Sequence, residues 1–391
     1  MTPCVLLVST ATRWLGTARM PRNLAKAGFD VALLAPKGSL ALHSRFVSKV
    51  GLLSETASAM EMLHALIGMV DKVAPRLLIP CDEMAVRLLF AFMLEPPRGL
   101  DAYTKTRLTG LIETSLGDSR HYWTSIDKTL LPAAAKASGV RMPECAVVGE
   151  PDGALAFADA HGYPVVLKRR YGFAGQGVAI VSSGNELGAA MRELQKPDQL
   201  DLGGQESPRL LVQSFIAGPH ISQALVAVGG ESLAGFAWER FVSTRPVAGQ
   251  TAVLRFVESP ATRSAAEKLC RALGMTGFLN MQFVIDEKTG AEHLLEINRR
   301  IVTHTHLGER FGADLGEALF DRLTGRLRAP VPRFAGRQEP VAIFPREWLN
   351  DPASRHLRDY PVDAPWDDPG LFAALLRMRD EGAEAGVSDE R

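Results

Sequence analysis

Cysteine is scarce: four residues in 391, Cys4, Cys81, Cys145 and Cys270, widely spaced, with no CxxC pair and no neighbouring histidine. That excludes a disulfide framework and a thiolate metal site, and the four read as reduced, mostly buried thiols of a cytoplasmic protein. Excess charge is lacking too. Lys+Arg and Asp+Glu number 44 each, so the net charge is zero, which argues against nucleic acid or an anionic membrane as the main partner. No apolar run reaches the roughly 18 residues of a membrane span. The start, MTPCVLLVSTATRW, has no basic region and only VLLV as an apolar run, so it reads as a first strand rather than a signal peptide. No internal repeat, low-complexity tract or nucleophile elbow is present. Neither the GxGxxG fingerprint nor a Walker A loop occurs: Gly172, Gly175 and Gly177 are spaced GxxGxG and run into VAIV, a strand rather than a helix.

What is present is an ordinary globular composition, 46% hydrophobic and 23% charged, over a length that suits two or three packed subdomains. CVLLVS, DVALLA and RLLIP alternate with helical stretches, the rhythm of a parallel sheet. Asp82 and Glu83 follow the last of these strands, where open α/β sheets place ligands; a helix cap explains them equally well. From about residue 125 the pattern changes to paired strands with fewer helices. VVLKRRYGFAGQGVAIV reads as strand, glycine loop, strand. Such a loop can lay backbone N–H groups over phosphates, and Lys168 at its mouth can reach one as a point charge. An ordinary mobile hairpin with a solvated KRR run fits the same residues.

EHLLEINRR (292–300) ends an apolar strand with Glu296, Asn298 and Arg300 on alternate residues. Gln282 lies 14 positions before Glu296, across the turn EKTGA. If the two strands pair, Gln282, Glu296 and Asn298 share one face and present hard oxygens of the kind Mg²⁺ accepts, and Arg300 points the same way. A strand-end cap with a surface salt bridge is the plainer alternative. His304 and His306 follow at i, i+2 as if on a strand, without an evident third metal ligand. Arg255 could bind a substrate carboxylate or be a surface strand residue.

Over about residues 120–325 the chain resembles the ATP-grasp superfamily. The likeness rests on Asp127-Lys128 before a helix, Lys168 with Gly172, Gly175 and Gly177, the hinge strand VQSFIAG, and Glu296-Ile297-Asn298-Arg299-Arg300, in that order. It is similar above all to carboxylate–amine ligases and to carbamoyl-phosphate-synthetase-type modules, whose Gln-Glu-Asn metal set it shares. The resemblance implies an α/β chain, α+β within the grasp module: a parallel-sheet domain (1–118), a lobe with a glycine lid (119–206), a lobe with the metal site (207–328) and a C-terminal tail (329–391). Lys128 and Lys168 would contact ATP phosphates. Gln213 with the backbone around Phe215 and Ile216 would hold the adenine edge, and His220 falls where a ribose-binding acid is usual. Val166, Val178, Val284 and Leu295 would line the adenine slot. Gln282, Glu296 and Asn298 would bind Mg²⁺, or Mn²⁺ in its place. Arg300 and Lys168 would act on the transferring phosphoryl group. Arg299 stands where the family pattern has proline, and Gln282 where an acid is more usual.

The implied reaction is ADP-forming ligation, in which a small carboxylate is activated as an acyl-phosphate and joined to an amine or similar nucleophile, in a cytoplasmic enzyme that is a homodimer. Three alternatives stay open. They are a bicarbonate-activating, carboxylase-type enzyme (although no biotin-attachment Met-Lys-Met occurs), a phosphoryl transferase that stops at the phosphorylated product, and a non-catalytic ATP-binding regulatory module.

Overall fold

CVLLV, DVALLAP and LLIP are too apolar to leave either face in water, and they are buried strands of a parallel sheet, the first two at its centre and the third at one edge. The structure, a computed structural model, describes residues 2–172, 177–196, 209–244, 249–327 and 339–385. Its first sheet joins β1 (Cys4–Val8), β2 (Asp30–Pro36), β3 (Lys49–Leu53) and β4 (Leu77–Pro80) in the order β3-β2-β1-β4. The edge strand β3, KVGLL, is mostly exposed and carries too weak a pattern to be seen in the sequence. Helix Leu15–Ala27 stops at Gly28, whose φ of 116° a side chain would resist. Helix Ala59–Val73 opens with a capping box between Ser58 and Glu61. Helix Ala102–Leu116, also unassigned from sequence, buries only Leu108, Ile112, Ser115 and Leu116.

The second sheet is antiparallel: β5 (Cys145–Val148), β6 (Val165–Arg169), β7 (Val178–Val181) and β8 (Leu210–Ser214), in the order β5-β8-β6-β7. Helices Pro151–His161 and Gly184–Leu194 cover one face of it through Phe157, Ala158, Leu187 and Met191.

The third sheet has seven strands: β9 (His220–Val228), β10 (Glu231–Ser243), β11 (Thr251–Val257), β12 (Gly277–Ile285), β13 (Glu292–Asn298), β14 (Pro340–Ile343) and β15 (Val362–Asp363). Their order is β13-β12-β9-β10-β11-β14-β15. Period-two alternation gives it two different faces. Leu225, Ala227, Leu279, Met281 and Phe283 pack on helix Pro260–Ala272. Ala224, Val226, Phe236, Trp238 and Phe278 face the first domain and helix Leu315–Thr324.

Residues beyond 339 join this body. β14 pairs with β11, Val341 opposite Leu254, and helix Pro369–Ala385 packs Leu371, Ala374 and Leu375 on Leu15 and Ala18. Among the described residues no helix is long and apolar enough to cross a membrane.

Candidate active site

The acid–amide–guanidinium series of the 292–300 stretch forms a ladder. β12 and β13 pair antiparallel with Gln282 opposite Glu296 and Asn280 opposite Asn298, so all four side chains share one face. Asn298 Nδ2 donates to Glu296 Oε1 at 3.2 Å, and Arg300 Nη2 donates to Asn298 Oδ1 at 3.2 Å. Arg300 is in turn fixed from the first domain. Its Nε lies 3.3 Å from Glu83 Oε2, and its guanidinium lies 4.7 Å from the Trp14 ring centroid. Glu83 opens a helix whose preceding residue, Asp82, caps Ala85 N at 2.9 Å, so the capping reading holds for Asp82, while Glu83 is taken up by Arg300.

Two buried lysines meet this ladder. Lys128 is placed by its neighbour: Asp127 accepts from Thr129 N at 2.8 Å and pairs with Arg170 Nη2 at 2.8 Å, and Lys128 N donates to Arg170 O at 2.9 Å. Lys128 Nζ then donates to Gly172 O at 2.8 Å and lies 3.6 Å from Glu296 Oε2. Lys168 comes from β6, opposite Val178, and its Nζ lies 3.5 Å from Leu295 O, where the second and third sheets meet. Burial lowers the Lys168 pKa to about 8; Glu296 opposes this and Lys128 adds to it. For Glu296, burial is the largest single influence and raises its pKa. Lys128, Lys168, the Asn298 hydrogen bond and Arg300 together outweigh it, so the pKa is lowered and the group stays a carboxylate.

The residues expected around adenine come from the second and third sheets and the link between them. Gln213 on β8 is 1% exposed, sits opposite Val166, and its Nε2 has no hydrogen-bond partner. Phe215 is exposed and Ile216 half-buried in the link to β9. His220 begins β9 opposite Val284, while Leu295 and Val178 are half-buried. Burial, Arg240 and Lys168 all lower the His220 pKa, so its ring is neutral at pH 7. Gly172 and Gly177, with φ of 139° and 72°, flank the loop; Gly175 lies outside the described residues.

Other candidates are drawn elsewhere. His304 and His306 are not on a strand: the chain leaves the sheet after Asn298, and Thr305–Phe311 is a 3₁₀ helix. The His304 ring lies 5.2 Å from Trp238, whereas His306 Nε2 lies 2.9 Å from Asp363 Oδ2, a carboxylate that also accepts from Arg19 Nη2 at 2.7 Å. Among the described residues no group of three or more His, Cys, Asp or Glu could hold a metal. Arg255 is tied to Glu239 Oε1, its Nε at 2.6 Å, across β10 and β11. Arg299, 2% exposed, donates to Ser125 Oγ at 2.9 Å and to Leu116 O, and lies over the Phe90 ring. The residue in the proline's place thus ties the strand end to the first domain. Sequence reasoning singled out Glu83 by its place after a parallel strand but not its pairing with Arg300, and it missed Trp14, which carries no local signal, and Asn280, which Gln282 two residues on could have revealed.

Residues 126–304 match the family model described as the ATP-grasp domain. These residues therefore make up an ATP-grasp domain. Pyruvate carboxylase 1 of Caenorhabditis elegans is 28% identical over 208 residues, 49% of this chain and 17% of that protein. The carbamoyl phosphate synthase large chain of Thermus thermophilus is 26% identical over 197 residues, 47% of this chain and 18% of that one. The chain thus spans less than a fifth of the length of these relatives. Among solved structures, the biotin carboxylase–β,γ-ATP complex from Campylobacter jejuni superposes with a TM-score of 0.63 at 16% identity, covering 84% of this chain and 72% of that one. N5-carboxyaminoimidazole synthetase from Staphylococcus aureus, complexed with ADP, gives 0.61 at 13%, covering 86% and 80%. At such identities the likeness is one of fold, a parallel-sheet domain followed by the ATP-grasp fold.

The donor set of this site fits a nucleotide with its metal. Gln213 offers an unpartnered buried amide of the kind an adenine edge pairs with, and Lys128 and Lys168 are two buried cations of the kind phosphates require. For Mg²⁺ the chain offers one carboxylate and amide oxygens, including the buried Asn280 Oδ1, which lacks a partner. That set suits an ion taking its remaining oxygens from phosphates.

Proposed function

We propose that this chain uses Mg²⁺-ATP to activate a carboxylate as an acyl-phosphate and joins it to an amine or similar nucleophile, releasing ADP and phosphate. The observation that carries the reading is the convergence of Lys128 and Lys168 on the Glu296–Asn298–Arg300 ladder where two sheets meet. A carboxylate is a poor acyl donor because its leaving group would be oxide, and phosphorylation replaces that with phosphate. Bringing two anions together needs cations in fixed positions, in a cleft that costs no reorganisation.

In this account Gln213 and the backbone at Phe215 and Ile216 hold adenine between Val166, Val178, Val284 and Leu295, and His220 lies at the ribose. Lys128 and Lys168 neutralise phosphate charge, and Gly172 and Gly177 let the loop backbone close over it. Gln282, Glu296 and Asn298 hold Mg²⁺, which when bound supplies charge stabilisation to the phosphates. The substrate carboxylate oxygen bonds to the γ-phosphorus while the β,γ P–O bond breaks and ADP leaves. Arg300, steadied by Glu83 and Trp14, faces the transferring group. The nucleophile then bonds to the acyl carbon, the C–O bond to phosphate breaks, and the nucleophile's proton leaves to phosphate or solvent.

A second reading, bicarbonate as the acid, is favoured by the likeness to pyruvate carboxylase and biotin carboxylase. One experiment covers both. ADP release is measured with Mg²⁺-ATP against bicarbonate and a panel of organic acids, each with and without amines, with Glu296→Ala and Lys168→Ala as controls. Acid-dependent release that the controls lose is expected. ATP binding with no release for any acid would overturn the ligase reading in favour of a regulatory nucleotide-binding module.

A further inference from the structure

The sheet face that carries the Glu296 ladder runs on across two more strands. Glu296 pairs with Gln282, Gln282 with Ser222 and Ser222 with Trp238, so these four side chains form one row on the face turned towards the first domain. Glu296, Gln282 and Ser222 are half-buried, and Trp238 is buried. In the next row Asn298, Asn280, Ala224 and Phe236 are all buried. The face is therefore open to a substrate along the first row, between the ladder at one end and the indole at the other. Two strand spacings, roughly 10 Å, separate the Gln282 and Trp238 backbones.

His304 stands at the indole end of that row. The chain leaves the sheet after Asn298 and comes back over it, so that the His304 ring lies 5.2 Å from the Trp238 ring. His304 is four residues past Arg300, a span of at most roughly 14 Å. Its backbone opens the 3₁₀ helix Thr305–Phe311, but its side chain makes no capping bond. The residue is 7% exposed, and its Nε2 has no hydrogen-bond partner. A histidine that served packing alone would pair that nitrogen, because a buried polar atom without a partner is costly. Burial is the largest cause lowering the His304 pKa; Arg346, His306 and Arg240 add to it, and Asp363 opposes it. The ring is thus uncharged at pH 7, and an uncharged imidazole has one nitrogen able to accept a proton.

We propose that His304 is the general base of the second step, taking the proton of the amine that attacks the acyl-phosphate formed at the ladder. This deepens the proposed function and rests on it. As the bond from nitrogen to the acyl carbon forms, an N–H proton passes to His304 Nε2. The C–O bond to phosphate breaks, and its electron pair leaves with the phosphate. The imidazolium then gives its proton to phosphate or solvent as the products depart. The cations around the ring reduce its basicity, and the anionic acyl-phosphate, once formed beside Arg300, offsets them. Attack comes from the Trp238 end of the row, across from Arg300.

The test compares two nucleophiles. Hydroxylamine is unprotonated at neutral pH and attacks acyl-phosphates without help. Ammonium, the smallest amine, must first lose a proton. The full chain is given Mg²⁺-ATP and the acid panel with one or the other, and hydroxamate or amide is measured. Wild type should form both from the same acid. His304→Gln keeps a polar side chain of similar reach; it should leave hydroxamate formation within about twofold and cut amide formation about 100-fold or more. His304→Ala should behave alike, with added imidazole restoring amide formation about tenfold. Both variants should bind a non-hydrolysable ATP analogue as wild type does, which separates the result from folding. Loss of both products together in a variant that still binds the analogue would overturn the role of His304. So would unchanged amide formation, or hydroxamate without any amide in wild type, since a working base should serve the smallest amine. Each of these leaves the ligase reading standing. No hydroxamate from any acid would overturn the ligase reading, and the role of His304 with it.

Discussion

Glu296→Gln keeps the shape of the ladder and removes the one carboxylate that faces two buried lysines. At the 3.6 Å separation of Lys128 Nζ and Glu296 Oε2, Coulomb attraction at an effective dielectric constant of about 20 is about 5 kcal/mol. Burying the glutamate's own charge offsets part of this, and its side chain is 19% exposed, so the expected net loss of stability at pH 7 is about 3 kcal/mol. The loss should depend on pH in a definite direction. The Lys168 pKa in the folded chain is about 8, below its ordinary 10.5, so charged Lys168 costs stability below pH 8, and that cost is relieved as pH rises from 8 towards 10.5. Without Glu296, which raises it, this pKa falls further. The variant's deficit is therefore largest near pH 6–7 and smaller near pH 9, where Lys168 is neutral in both proteins. Urea unfolding of the two proteins at both pH values, with unchanged m-values, measures it. A variant as stable as wild type at pH 7, or a deficit that grows towards pH 9, would refute the charge coupling.

Affinity for a non-hydrolysable ATP analogue should fall as pH rises through 8, because the phosphate contact needs protonated Lys168; Lys168→Arg should flatten that profile, and an identical fall in the variant would remove Lys168 as its cause. Gln213→Leu removes a buried amide with an unpartnered nitrogen. It should leave stability the same or raise it by about 1 kcal/mol while weakening the analogue about tenfold, a split that thermal melts and titration would show together. Asp363→Asn leaves buried Arg19 without its carboxylate. Because the Asp363 pKa is lowered by Arg19 and His306 against burial, its contribution is present above pH 4 and lost in acid. The variant should lose about 3 kcal/mol at neutral pH, a deficit that begins to shrink below pH 4 and is smaller at pH 2 than at pH 7, as unfolding at the two pH values would reveal.

How much was legible follows from what each residue depends on. The EKTGA turn was enough to pair β12 with β13 and alternation to align Glu296 with Asn298, but Gln282 meets Glu296 only because the register shifts between Gln282 and Phe283; regular pairing from the turn would set Gln282 opposite Leu295. Continuous apolar runs were enough for β1, β2 and β4. The weak edge strand β3, the four-residue β14 and the helix after Pro369 were hidden, because short or Pro-flanked elements take their stability from neighbours. The histidines were extrapolated along a strand that ends at Asn298, where Val302 N turns to Thr305 Oγ1 at 2.8 Å. Glu83 and Trp14 reach Arg300 from more than 200 residues away, and no spacing in the sequence encodes such meetings.

The central claim is that a carboxylate oxygen attacks the γ-phosphate of ATP. Its most direct test takes the acid that drives ADP release, labels its carboxylate with ¹⁸O, and follows the phosphate formed by mass spectrometry. The acyl-phosphate account predicts one ¹⁸O transferred to each phosphate as the nucleophile displaces it. Phosphate carrying no label while ADP accumulates would mean that water is the phosphoryl acceptor, and the account would be wrong.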